Sequence, residues 1–170
     1  MKKLTLVING RGGVGKDTLC EAAAARYRVM NVSSITPIKQ LAAACGWQGE
    51  KTDRARRFLA DLKALTAAYN DYPTVWITEQ YRAFLEGEDE ILFVHIREGE
   101  EISKFVQATG GQAKTLLVRA DRRMAAHTYG NASDDMVENY AYDYYFDNDD
   151  APDVAAEKFL LFLADILAEQ

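Results

Sequence analysis

The chain has 170 residues and a mass of 19.0 kDa, a length that fits one domain around a single core. With 48% hydrophobic and 27% charged residues, the composition excludes a disordered chain. A formal net charge of −6 and a pI near 5.0 argue against a non-specific nucleic-acid binder, which needs a basic surplus, while leaving room for a local arginine pocket around one phosphorylated ligand. Leu4 to Asn9 is an apolar run closed by glycine, the pattern of a buried parallel strand. An alanine-rich helix is expected from Lys16 to Tyr27 and a short strand from Val29 to Val32. Pro37, in a favoured first-turn position, opens a helix running from Ile38 to Cys45. Asp53 to Tyr69 is the clearest helix, and Phe58, Leu62, Leu65 and Tyr69 form an apolar stripe expected to face the core. Pro73 is read as separating it from a weaker helix, Ile77 to Glu86.

Glu90 to Arg97 contains a second buried-strand run, Ile91 to Val94. A helix from Glu100 to Ala108 is stopped by Gly110-Gly111. Thr115 to Arg119 is the fourth strand. Ala120 to Asn139, polar and carrying Gly130-Asn131, reads as a surface loop. Tyr142 to Phe146 is the last strand, and Asp153 to Ala168 the last helix. Strands alternating with helices imply an α/β fold with helices on both faces of a five-stranded parallel sheet.

The apolar start after Met1-Lys2-Lys3 closes too soon for a secretory segment, and Asp165 follows the C-terminal run Phe159 to Leu163, so no membrane contact is expected. Cys20 and Cys45 lack metal-type spacing and are expected to be structural thiols in a reducing cytoplasm.

The densest chemistry lies at Gly10-Arg11-Gly12-Gly13-Val14-Gly15-Lys16-Asp17-Thr18. Gly10, Gly15 and Lys16 give the G-x-x-x-x-G-K frame between a strand and a helix. There, backbone N–H groups can curl around phosphate oxygens, the helix N-terminus adds positive potential, and lysine reaches the outer phosphates. Gly10, Gly12 and Gly15 also satisfy G-x-G-x-x-G. That dinucleotide reading needs an acidic residue to hold a ribose after the second strand. Ala22 through Gly49 contains neither Asp nor Glu, so the reading is rejected. The deviant loop of partition-type ATPases fits less well, because it places lysine where Arg11 stands and a hydroxyl residue where Asp17 stands. Asp17 is open to two readings: a hard oxygen ligand for Mg²⁺, directly or through water, or a first-turn aspartate favoured by the helix dipole.

From Gly15-Lys16-Asp17-Thr18 onward the chain resembles the nucleoside monophosphate kinases, specifically the phage-type deoxynucleoside monophosphate kinases. Ser34-Ile35-Thr36-Pro37-Ile38-Lys39 resembles their turn into the acceptor-side helices, and Arg56-Arg57-Phe58-Leu59 the start of their acceptor-binding helix. His95-Ile96-Arg97 with Glu101 resembles their Asp-x-Arg strand end. Arg119 with Arg122, Ser133-Asp134-Asp135, Tyr142-Asp143-Tyr144 and Asp147-Asn148-Asp149 resemble their lid and closing strand. His95 departs from the usual strand-end aspartate, and Lys63 from a glycine.

The resemblance implies a three-layer α/β/α domain with strand order 2-3-1-4-5, acceptor-binding helices over about residues 36–87 and a short lid over about 120–139. It implies an ATP- and Mg²⁺-dependent phosphotransferase acting on a small nucleotide acceptor, with monomer or dimer undetermined. Lys16 and the loop residues Gly10 to Thr18 would hold the ATP phosphates, and Asp17 and Thr18 the metal. Arg56 or Arg57 would grip the acceptor phosphate through a guanidinium fork. Arg97, Arg119, Arg122 and Arg123 would neutralise the transfer or stack on adenine. Two alternatives stand beside this: a P-loop kinase of another small phosphorylated metabolite, and a non-catalytic nucleotide-binding regulator.

Overall fold

The first strand, β1 (Leu4–Asn9), is buried along its entire length, as a strand must be when both of its faces are covered. The structure is a computed structural model, and it describes residues 1–125 and 136–170. On either side β1 pairs in parallel with β3 (Ile91–His95) and β4 (Lys114–Arg119), Leu4 lying opposite Ile91 and Leu6 opposite Lys114. The edges are β2 (Val29–Ser33), parallel to β3, and β5 (Tyr144–Asp147), parallel to β4. The sheet order is β2-β3-β1-β4-β5, the expected topology.

Parallel strands need crossovers, and these place helices on both faces. One face is covered by α1 (Lys16–Ala24) and the last helix, α6 (Pro152–Ala168), through Leu19, Cys20, Phe159 and Leu163 packed on Leu6, Ile8 and Phe93. The Phe93 and Phe159 rings stack at 6.2 Å. The other face is covered by α4 (Tyr72–Glu86) and α5 (Gly99–Ala108), through Ile77, Tyr81, Phe84 and Phe105 packed on Val7, Leu92 and Val94. The result is a three-layer α/β/α sandwich.

Two helical expectations are corrected. Pro73 does not separate α4 from what precedes it but sits in its first turn, where a missing N–H costs nothing. Asp71, at φ 53, turns the chain sharply between α3 (Asp53–Asn70) and α4. The apolar stripe of α3 does not enter the core: Phe58, Leu65 and Tyr69 are 37%, 69% and 86% exposed. The helix packs against α2 (Thr36–Ala44) and α4 rather than on the sheet, and Ala55 is its buried residue. Periodicity identified the stripe, but could not say which side of an overhanging helix meets the body.

The last strand starts two residues later than expected. Asp143 is held outside the ladder, its Oδ2 accepting from Thr115 N (2.9 Å) and Thr115 Oγ1 (3.0 Å). Ser133-Asp134-Asp135 and Gly130-Asn131, read as lid and loop, lie outside the described residues. The described ends of the 120–139 segment are a turn through Asp121 to Ala125 and a short 3₁₀ turn, Val137–Asn139.

Candidate functional site

The C-terminal ends of β1, β2 and β3 lie level, Ile8 and Ser33 both opposite His95, so everything that follows these strands gathers along one edge of the sheet. Open α/β sheets bind ligands at such an edge. The glycine-rich loop runs from Gly10 to Gly15 and enters α1 at Lys16. Val14 is its buried anchor. A Cβ on Gly10 would lie 2.6 Å from Val118 O, so only glycine fits against β4. Gly15, at φ 91, takes the left-handed conformation that glycine adopts without cost, and a Cβ there would meet Asn148 Nδ2 at 2.6 Å.

The loop is held from outside. Asn148 Nδ2 donates to Val14 O at 2.7 Å. Arg123 donates to Val14 O at 3.0 Å and, more weakly, to Gly13 O at 3.4 Å. Lys16 Nζ donates to Gly10 O at 2.7 Å, so the ammonium spans the loop from its end back to its start. A loop fixed in this way has the preorganisation that an anion cradle requires.

Asn9 anchors the strand end. Its Oδ1 accepts from Gly10 N at 2.9 Å, while Nδ2 donates to Arg97 O (3.0 Å) and Tyr142 Oη (2.9 Å). Tyr142 in turn donates to Val137 O at 2.6 Å. Burial pushes the Tyr142 phenol up to about 12, so it acts as a neutral hydrogen-bonding strut. This buried network ties the start of the phosphate loop to the end of β3 and to the root of the 120–139 segment.

Beside the loop opens a cavity of about 600 Å³. Lys16, Lys39, Arg56, Lys63 and Arg97 line it with the carboxylates of Asp17 and Glu98; Lys63 is paired with Glu98 and Glu101, and the other four cations share the cavity with the carboxylate of Asp17, so it suits an anionic ligand. Arg56 therefore faces the cavity. Arg57, exposed as Arg56 is, is not among the lining residues. His95 also lines the cavity and pairs through Nε2 with Asn31 Oδ1 at 3.2 Å. Burial lowers the His95 pKa below its ordinary 6.5, Asp17 opposing the shift and Lys16 adding to it, so the ring is neutral at pH 7.

The remaining expected residues fall into different places. Thr18 does not share the cavity of Asp17: it lines a smaller crevice of about 140 Å³ with Gly15, Arg123, Asn148 and Asp150. Arg119 and Arg11 border a third cavity of about 210 Å³. Arg119 pairs with Asp147 at 3.2 Å and lies over the Tyr145 ring. The Arg122 side chain is 87% exposed and lies 3.7 Å from Asp149. Magnesium requires few protein ligands in such sites, because phosphate oxygens and water complete its shell. No group of three or more ligating side chains occurs among the described residues. The single carboxylate of Asp17, one residue beyond the loop lysine, nonetheless fits that requirement.

At the far wall of the large cavity, Lys63 Nζ lies 2.9 Å from Glu98 Oε2 and 2.8 Å from Glu101 Oε2. Burial opposes the Lys63 charge, but the two carboxylates outweigh it and hold the pKa above the ordinary value. Glu101 is pushed up by burial in spite of Lys63, whereas Glu98 is held down because Lys63 outweighs its burial.

No sequence motif assigns a site role to Asn9, Lys63 or Glu98, and Glu101, Tyr142 and Asn148 enter only as parts of the strand-end and closing-strand resemblances. A polar Asn9 closing an otherwise apolar strand was a visible signal. The others depend on long-range contacts.

No protein-family model matches this chain, and no curated protein matches its sequence. Solved structures do match its fold. The tunicamycin resistance protein of Deinococcus radiodurans is 12% identical, with a TM-score of 0.59 over 95% of this chain and 96% of that one. A gluconokinase from Sinorhizobium meliloti is 15% identical (TM-score 0.51, 98% and 94% covered). A sugar kinase from Janibacter is 17% identical (TM-score 0.50, 95% of each chain covered). The chain shares the fold of these structures, a five-stranded parallel sheet of order β2-β3-β1-β4-β5 between two helical layers.

Proposed function

We propose that this protein is an ATP-dependent phosphotransferase whose acceptor is a small anionic metabolite. The observation that carries the reading is the cation-rich cavity that opens directly onto the lysine of a braced phosphate loop, with Arg56 and Arg97 on its walls. Phosphoryl transfer demands placement and charge neutralisation rather than covalent help, and such an arrangement supplies both. Lys16 and the loop would hold the β and γ phosphates, with Thr18 on the side of the inner phosphates and Arg123 fixing the loop. Mg²⁺ held at Asp17 would neutralise the charge that develops between these phosphates. Arg56 and Arg97 would orient the acceptor's anionic group in line. Arg119 and Arg122 sit on the lid side, engaged with Asp147 and Asp149 respectively.

The gluconokinase and sugar kinase that share the fold support an acceptor outside the nucleotides. The nucleoside monophosphate reading stands second, favoured by the order in which Gly-Lys-Asp-Thr, Ser34 to Lys39 and Arg56-Arg57 follow one another. In both readings residues 36–87 are the acceptor side and 120–139 the lid of a single kinase domain. An assay of ADP production against nucleoside monophosphates, sugar phosphates and sugar acids tests the proposal. Turnover with a sugar phosphate or sugar acid supports the first reading, and turnover with one nucleotide the second. ATP binding without turnover on any acceptor would leave the regulator as the better description.

A further inference from the structure

On its α3 side the large cavity abuts a second, solvent-open groove of about 490 Å³ that continues between α3 and α5. Ala60, Lys63 and Glu98 line both. Beyond them the second cavity is floored by Ala64, Ala67 and Ala68, side chains too small to fill the space between the helices. Lys63 is the long side chain in this row. Its ammonium bridges from α3 to Glu98 and Glu101 at 2.9 and 2.8 Å, and it lies 3.4 Å from Ser34 Oγ. The side chains of Lys63 and Glu101 are 18% and 12% exposed, so this arm of the clasp is largely withdrawn from water, where a charged hydrogen bond holds more firmly than on an open surface, while the Glu98 arm, 47% exposed, faces the opening.

We infer that Lys63 is a specificity-determining residue that limits the length of the acceptor: clasped to Glu98 and Glu101, it separates an acceptor chamber beside the glycine-rich loop from the alanine-lined groove beyond it. This rests on the proposed phosphotransferase function and deepens it. An acceptor anchored by its anionic group at Arg56 and Arg97 extends away from the phosphate loop toward Lys63. Small acceptors fit in front of the clasp, and longer ones meet it. Removing the side chain joins the two chambers over the alanine floor.

The test uses a series of acceptors that share a phosphate and grow in length: glycerol 3-phosphate, ribose 5-phosphate, CMP and GMP. Binding of ATP and of each acceptor is measured by calorimetry for the parent, Lys63→Ala and Lys63→Arg, with ADP production followed alongside. The expected result is unchanged ATP affinity in all three proteins, and at least a tenfold shift in Lys63→Ala of preference from ribose 5-phosphate toward the nucleotides. Lys63→Arg, which can keep both carboxylate bonds, retains the parental ranking. Loss of Lys63 strands two partly buried carboxylates. If that prevents folding, Lys63→Ala combined with Glu101→Gln carries the same test. ATP binding with an unmoved acceptor ranking overturns the inference alone, as does a uniform loss for every acceptor in Lys63→Ala or no binding of any acceptor to any of the three proteins. Failure of the parent to bind ATP overturns the proposed function itself.

Discussion

Asn148 Nδ2 donates a 2.7 Å hydrogen bond to the carbonyl of Val14, so the segment after the last strand grips the glycine-rich loop from behind. The same nitrogen lies 2.6 Å from the position a Cβ on Gly15 would take. Asn148→Ala removes one of the two donors to this carbonyl, Arg123 keeping the other at 3.0 Å, a loss of about 0.5–1.5 kcal/mol. Gly15→Ala adds both this clash and a left-handed alanine, the backbone alone costing about 1–2 kcal/mol. Because truncating the Asn148 side chain removes the atom that clashes, the double variant should be less destabilised than the two single effects combined. Urea denaturation of all four proteins checks this, and strict additivity would show that the two residues do not meet.

His95 predicts a pH dependence of stability. Its folded-state pKa lies below 6.5, chiefly through burial, so the folded protein resists a proton that the unfolded chain accepts. Its contribution is fully present above pH 6.5 and is lost as pH falls through the lowered folded value. Tm measured from pH 8 to pH 5 should therefore fall more steeply for the parent than for His95→Gln, the gap opening below pH 6.5. Parallel curves would place His95 in a more open environment.

Arg56 and Arg57 are adjacent but not equivalent, because only the former is among the cavity-lining residues. Arg56→Ala should raise the acceptor KM at least tenfold with little change in the KM for ATP, corresponding to about 1.4 kcal/mol or more of lost acceptor binding. Arg57→Ala should leave both parameters within about twofold, as an exposed substitution usually does. Steady-state kinetics on the two variants decide the matter, and a larger effect from Arg57 would reverse the assignment of the helix face.

Much of the fold was legible because its signals are local. Leu4 to Asn9 and Ile91 to Val94 are short apolar runs that only a covered parallel strand accommodates, and alternation with helices then fixes the layers. The glycine-rich turn between β1 and α1 was legible for the same reason: glycine spacing and the following lysine act within nine consecutive residues. What stayed hidden is contact across the chain. Asn148 meets Val14 from 134 positions away, and Tyr142 meets Asn9 from 133, so no spacing rule reveals either. The α3 stripe misled because amphipathicity marks two different faces without saying which is turned to solvent, and here the alanine and lysine face lines the cavities.

Calorimetric titration of the parent and Lys16→Ala with ATP in the presence of magnesium tests the central claim most directly. Lys16 lies across the loop with its ammonium 2.7 Å from Gly10 O and lines the cavity instead of the core. The parent should bind one ATP, and Lys16→Ala should lose at least tenfold in affinity, about 1.4 kcal/mol, while unfolding at nearly the parental temperature. Equal ATP affinity in the two proteins, or no binding to the parent, would contradict the assignment of this loop as a polyphosphate cradle.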